Sequence, residues 1–271
     1  MNTLDTLTVG FIGVGMMGGA LLQAASRAIP GDRIIVSDKD PEKTAAAARQ
    51  TGCAAAPSNL ETARKSHVLF LAVKPAQIPQ TLAEIRGEIP GKILVSIAAG
   101  VSLERLRDYG APSEPKAFIR LMPNLPATIG EGMIALSSLG AGRDSVDTVK
   151  ALLAGAGVVE EVDEHLMDCV TAVSGSGPAY AFMFIEALAD AAVLLGMGRK
   201  QAYVYAAQTL RGAAGMALQS GRHPGDLKDA VCSPSGTTIE AVRVLEARGF
   251  RSAVIEAAIG SAKKSMEMGK K

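Results

Sequence analysis

The sequence predicts an α/β fold in which a doubly wound parallel sheet is followed by an all-α domain. Three observations predict it. Short β-branched apolar runs alternate with helix-like stretches in the first part of the chain, as strand–helix–strand units require. The first run passes straight into a glycine-rich turn. From about His165, strand-like alternation gives way to long stretches of Ala, Leu and Met.

Taken in order, strands are expected at 8–12, 33–37, 68–72, 93–97, 117–121 and 133–136, with 157–162 closing the sheet edge. Helices are expected at 17–28 and 41–51, the second carrying Pro41 in its first turn, where a missing N–H costs nothing. Beyond them, 166–173 leads to a glycine-rich break, 174–178. Helices follow at 179–195, 199–220, 237–248 and 251–268, with a polar break before Thr237. Composition places a boundary near residue 164, dividing an α/β domain (1–164) from an all-helical domain (165–271). The stretch 179–195 is apolar almost all round and must be covered on every side. Burial against a second subunit is the expected cover, and packing on the first domain is the alternative.

Composition narrows the function. Among 271 residues the net charge is +1, and aromatic residues make up 4% with no Trp; neither nucleic acid nor an anionic membrane is an expected partner. Cys53, Cys169 and Cys232 form no CxxC pair and the three histidines are scattered, so neither a disulfide framework nor a metal site is expected, and a cytoplasmic location fits. The N-terminus does not read as a signal peptide. Glu186 and Asp190 interrupt the longest apolar stretch, which argues against a membrane span.

The glycine-rich turn is Gly13-Val14-Gly15-Met16-Met17-Gly18, a GxGxxG that makes the first domain Rossmann-like. Gly13 permits the tight turn, Gly15 lets backbone approach a pyrophosphate, and Gly18 allows close helix–strand packing. Asp38 follows the second strand, where a carboxylate would bond the ribose of NAD(H). Its neighbours Ser37 and Lys39 could instead meet the 2′-phosphate of NADP(H), and Asp38 could simply cap the helix at Pro41. Ala72, Val73, Lys74 and Pro75 follow the 68–72 strand, at the carboxyl end where ligands of open α/β sheets bind. Lys74 reads as a cofactor-adjacent residue rather than a Schiff-base lysine. Ala98, with Ala99 and Gly100, leaves room for a nicotinamide.

Near the other end, Ser233-Pro234-Ser235-Gly236-Thr237-Thr238 precedes an apolar helical run. Thr237 and Glu240 have the spacing of a capping box. Backbone N–H groups at such a helix start suit a carboxylate, although a capped helix with nothing bound fits the residues equally well. His165, His223 and Cys232 have no partner that would make them catalytic.

The segments GFIGVGMMGGAL, AVKPAQ, SIAAGV, RLMPNLPATIGEG, AVSGSGPAYAF and LKDAVCSPSGTTIEAV resemble, in order, those of pyrroline-5-carboxylate reductases, and they span residues 10 to about 245. The resemblance implies a fold with a cofactor domain and a helical dimerisation domain, and an assembly that is a dimer or a decamer built from dimers. It implies that Gly13, Gly15, Met16, Met17 and Gly18 contact the pyrophosphate, and that Asn59 and 72–75 line the dinucleotide. NADP(H) is the expected cofactor and NAD(H) the alternative. Val231, Ser233, Ser235, Gly236 and Thr237 would hold the substrate, with backbone amides taking its carboxylate across the dimer interface. Thr238 would set its hydroxyl against the nitrogen of a cyclic imine. The expected reaction is hydride transfer to the C=N bond of 1-pyrroline-5-carboxylate, giving L-proline. Two alternatives remain at this point: another Rossmann-type dehydrogenase or imine reductase, which would need a lysine or histidine that 174–190 does not offer, and a nucleotide-sensing protein without turnover.

Overall fold

The computed structural model describes residues 3–110 and 113–269. Among them the strands are β1 (Val9–Ile12), β2 (Ile34–Ser37), β3 (Ala54–Ala55), β4 (Val68–Leu71), β5 (Ile93–Ser96), β6 (Ala117–Met122), β7 (Gly132–Leu139) and β8 (Gly157–Glu161). They form one sheet in the order β3-β2-β1-β4-β5-β6-β7-β8. Each of β1, β2, β4 and β5 is a four-residue run buried at every position, as expected of strands covered on both faces. The side chains alternate between two cores. Phe11 and Phe70 stack at 4.5 Å on the face covered by α1 (Met16–Ala28), with α2 (Pro41–Thr51) at its margin. Leu69 and Leu71 turn to the other face, beneath α3 (Asn59–Arg64), α4 (Ile78–Ile85) and α5 (Leu103–Gly110). Helix α6 (Arg143–Leu153) joins α1 on the first face.

The sheet departs from the all-parallel expectation at one place. β7 runs antiparallel to β6, because only a short 3-10 turn, Leu125–Ile129, joins them; a parallel return would need a crossover element. Helix α6 supplies such a crossover to β8, which is parallel to β7.

The glycine-rich segment expected to break the helix does not. After α7 (Met167–Val170) the chain continues as a π-helical turn, Thr171–Gly175, into α8 (Gly177–Leu194). The hydroxyls of Thr171 and Ser174 donate to the carbonyls of Met167 and Val170, and Asn124 Nδ2 donates to the Ser174 carbonyl at 3.0 Å. Pro178 falls in the first turn of α8, where it removes no helical hydrogen bond.

Two compact units emerge. The first holds the described residues up to Gly175 together with those from Ser261 onward; the second is Ser176–Gly260. The division falls at Gly175, and the end of the final helix belongs to the first unit. The second unit contains α8, α9 (Arg199–Ser220), α10 (Pro224–Val231), α11 (Thr237–Ala247) and the start of α12 (Phe250–Gly269). Helix α10 fills what reads in the sequence as a polar break. The buried core of this unit is three alanines, Ala189, Ala202 and Ala206. Large apolar side chains including Phe182, Met183, Leu194 and Leu218 stay exposed on the single chain, and the run Glu164–Leu194 is long and apolar enough to cross a membrane by length and composition.

Candidate active site

The strand order reverses direction at β1, whose neighbours are β2 and β4, and ligands of open α/β sheets bind outside the carboxyl ends at such a switch point. Gly13 and Ala72 leave β1 and β4 side by side there: Ala72 N–H donates to the Ile12 carbonyl, and Gly13 N–H to that of Ser37, each at 2.8 Å. Gly13 has φ +93°, and a Cβ on it would lie 2.6 Å from the Ala72 carbonyl oxygen. A Cβ on Gly18 would collide with the Gly13 carbonyl, whereas one on Gly15 would meet nothing within 4 Å. Gly15 is the N-cap of α1 and no side chain caps this helix. The first-turn N–H groups therefore keep no intrahelical acceptor, which suits a pyrophosphate.

A cavity of about 260 Å³ opens at this point. It brings together Gly13, Gly15, Asp38, Lys39 and Asn59 with Ala72, Val73 and Lys74, eight of the residues the sequence proposes. Met16 is largely exposed and lines an adjoining cavity with Gly15. Met17 is half-buried in the first turn of α1, Gly18 is buried behind it, and Pro75 opens a 3-10 turn after β4. Ser37 is buried and donates its hydroxyl to Asn59 Oδ1 at 2.8 Å. Ala98 is buried after β5, its N–H donating to Ser96 Oγ.

The cavity also includes Lys43, Gln77, Gln80, Thr81 and Glu84, and apart from Gln77, which ends the AVKPAQ segment, sequence reasoning missed them. The last four recur at helical spacing along one face, a pattern visible once 78–85 is read as a helix. Asn59 Nδ2 donates to Glu84 Oε2 at 2.9 Å.

Asp38 does not cap α2. That cap is Asp40, whose side chain accepts from Glu42 N–H. The Asp38 carboxylate instead accepts from Val14 N–H at 2.9 Å and from Asp40 N–H at 3.0 Å, which ties the glycine loop to the end of β2.

The substrate-loop residues lie in the second unit, after α10. Gly236 N–H donates to the Ser233 carbonyl at 3.0 Å, closing a four-residue turn with Pro234 second and Ser235 third. Ser235 has φ 57°, the one non-glycine positive φ among the described residues; Pro then a left-handed residue is the type II pattern. Strain of this kind clusters at functional sites. The expected capping box does not form. Gly236, not Thr237, is the N-cap of α11, without a side-chain cap, and Glu240 pairs with Arg243 at 2.7 Å instead. The first-turn N–H groups, including those of Thr237 and Thr238, are left without intrahelical acceptors. Thr238 is half-buried, and Val231, Ser233, Ser235 and Thr237 are exposed.

His223 caps α10 by accepting from Gly225 N–H, and His67 Nδ1 accepts from Thr8 N–H. Burial pushes the Cys53 thiol above its ordinary pKa. Among the described residues no cluster of His, Cys, Asp or Glu could hold a metal.

Residues 164–268 match the family model for pyrroline-5-carboxylate reductase dimerisation, and residues 8–100 match that for coenzyme F420-dependent NADP oxidoreductases. The chain is 46% identical to the pyrroline-5-carboxylate reductase of Escherichia coli K12, covering 97% of this chain and 98% of that protein.

The chain belongs to the pyrroline-5-carboxylate reductase family.

Solved structures agree. A Plasmodium falciparum pyrroline carboxylate reductase with NADP bound superposes with a TM-score of 0.87 at 30% identity, covering 98% of this chain and 99% of the other. The Coxiella burnetii pyrroline-5-carboxylate reductase gives 0.91 at 29%, covering 97% and 99%. As a member of the pyrroline-5-carboxylate reductase family, the chain is an NAD(P)H-dependent oxidoreductase, and its exposed helical unit lies within the region that the family's dimerisation model matches.

Proposed function

We propose that this protein reduces 1-pyrroline-5-carboxylate to L-proline with NADPH. The observation that carries the reading is the near full-length, 46% identical match to the Escherichia coli reductase. The open face of Gly15, the uncapped start of α1 and the cavity beside them fit a dinucleotide. When bound, the reduced nicotinamide supplies the hydride that the C=N carbon accepts.

The chain's own residues bind and orient. N–H groups of the Ser235 turn and the start of α11 take the substrate carboxylate, aided by the positive end of the helix dipole. Thr238 Oγ1 holds the ring nitrogen in place as the amine develops. A hydroxyl is a weak acid, so the nitrogen is best protonated before reduction, as the iminium, and no side-chain acid is needed. Gly13 to Gly18 hold the pyrophosphate. Asn59, Lys74 and Ala98 lie along the rest of the cofactor, with residues 1–164 serving the cofactor and 165–271 the substrate and the subunit contact.

Self-association as a dimer, extended to a decamer, covers the apolar faces of α8 and its neighbours, and a reducing cytoplasm suits three free thiols. The test is product identity: full-length protein with NADPH and 1-pyrroline-5-carboxylate should yield L-proline on chiral chromatography. Recovery of unreduced imine would count against the assignment.

A further inference from the structure

We infer that Glu164 is a positioning residue for hydride transfer, fixing through Arg120 and the Leu103 N–H the segment against which the nicotinamide docks; this rests on the reading above that Ala98 lies along the cofactor. The segment is 97–102, between β5 and α5. Its centre, Ala98-Ala99-Gly100, has no side chain long enough to reach a partner, so its place is set from its ends. At the β5 end, Ala98 N–H donates to Ser96 Oγ and Ile97 N–H to the Leu71 carbonyl, each at 3.2 Å. At the α5 end, Arg105 N–H donates to Ser102 Oγ at 3.2 Å. The acceptor for Leu103 N–H comes from 61 residues further along the chain: Glu164 Oε1, at 2.7 Å.

Glu164 opens a 3-10 turn after β8, and the same oxygen accepts from Arg120 Nη1 at 2.9 Å. Arg120 stands on β6 in register with Ser96 of β5. Its side chain is 10% exposed and that of Glu164 31%. A guanidinium so enclosed holds its carboxylate in one place, because the charge-assisted bond is strong and a buried charge left alone is costly. The carboxylate also faces the positive end of α5. Since β1, β4 and β5 are parallel, α1 and α5 both start from the carboxyl edge of the sheet, and in opposite condition. The start of α1 has no side-chain cap and is open to a pyrophosphate, whereas that of α5 is closed by Glu164, so 97–102 serves as a wall. Hydride transfer needs its reacting carbons about 3–3.5 Å apart, and a displacement of about 1 Å can cost about 10²-fold in rate. A wall that shifts carries the nicotinamide with it.

Three variants of the full-length protein test this. Glu164→Ala removes the tie, Glu164→Asp keeps a charge opposite Arg120 on a side chain one methylene shorter, and Glu164→Gln keeps an oxygen that can accept from both donors. The alanine variant should lower kcat about tenfold. It should also raise the isotope effect of NADPH deuterated at the transferred position, because the hydride step then limits turnover. Without imine, the emission of bound NADPH should fall toward that of the free cofactor, a signal that no tryptophan overlaps. Calorimetric affinity for 2′,5′-ADP, which lacks the nicotinamide, should stay unchanged. Glu164→Asp should act in the same direction, and Glu164→Gln should recover most of the rate. Wild-type emission and isotope effect in the alanine and aspartate variants would overturn the assignment. Equal loss of 2′,5′-ADP binding would overturn it as well, because it points to damage across the cofactor unit. If Glu164→Ala does not fold, the aspartate variant decides alone. A wild type that binds NADPH but never oxidises it with the imine would instead overturn the reductase reading beneath.

Discussion

The carbonyl oxygen of Ala72 lies 2.6 Å from where a Cβ on Gly13 would stand. The ends of β1 and β4 thus meet with room for hydrogen only, and the left-handed φ of Gly13 turns the chain into α1 at that contact. The glycine loop is a packing joint on one side and an open shelf on the other.

Two of the motif glycines should therefore separate stability from binding. Gly18→Ala drives a methyl into the Gly13 carbonyl and the Ala72 side chain and should cost about 1–3 kcal/mol, read from denaturant unfolding. Gly15→Ala meets no neighbour within 4 Å. It should leave the unfolding midpoint unchanged and weaken cofactor binding, because the methyl occupies the shelf.

Thr238→Ala should lower turnover at least about tenfold and leave cofactor affinity close to wild type, since Thr238 belongs to α11 and not to the glycine loop. Thr238→Ser should recover most of the rate. Unchanged turnover in the alanine variant would remove Thr238 from the mechanism.

Ser235 is held at φ 57°, which costs an L-residue about 1–2 kcal/mol. Ser235→Gly relieves that strain but loosens the unfolded chain by a similar amount, so stability should barely change. Ser235→Val should destabilise the turn by at least about 1 kcal/mol and raise KM for the imine. Equal behaviour of the two variants would show that the turn carries no strain.

Met183 is 68% exposed on α8 of the single chain. A charge there, as in Met183→Glu, should shift the protein toward monomers in sedimentation while the cofactor cavity in the other unit keeps its fold. An unaltered assembly would place the subunit contact elsewhere.

The parallel core was legible in the sequence because its strands are short, predominantly apolar and interrupted by helical periods. Gly13, Gly15 and Gly18 were legible for the same reason: each needs a residue without a Cβ or space beside it. The antiparallel β7 was not, since the sequence pattern of a strand does not record its direction; only the brevity of 125–129 hinted at it. The π-turn was missed because glycine and serine read as a break, while the hydrogen bond that Asn124 gives the Ser174 carbonyl is a tertiary contact. The spacing of Thr237 and Glu240 suggested a capping box, but Gly236 takes the cap position and Arg243 takes the carboxylate. Asp38 was ambiguous because two backbone donors, invisible in sequence, decide what its carboxylate does.

The account rests most directly on turnover: loss of the reduced-nicotinamide absorbance when purified protein meets NADPH and 1-pyrroline-5-carboxylate. Oxidation that needs both protein and imine, proceeds faster with NADPH than with NADH, and yields one proline per NADPH consumed is the predicted result. Retained cofactor binding with no imine-dependent oxidation by either nucleotide would contradict it.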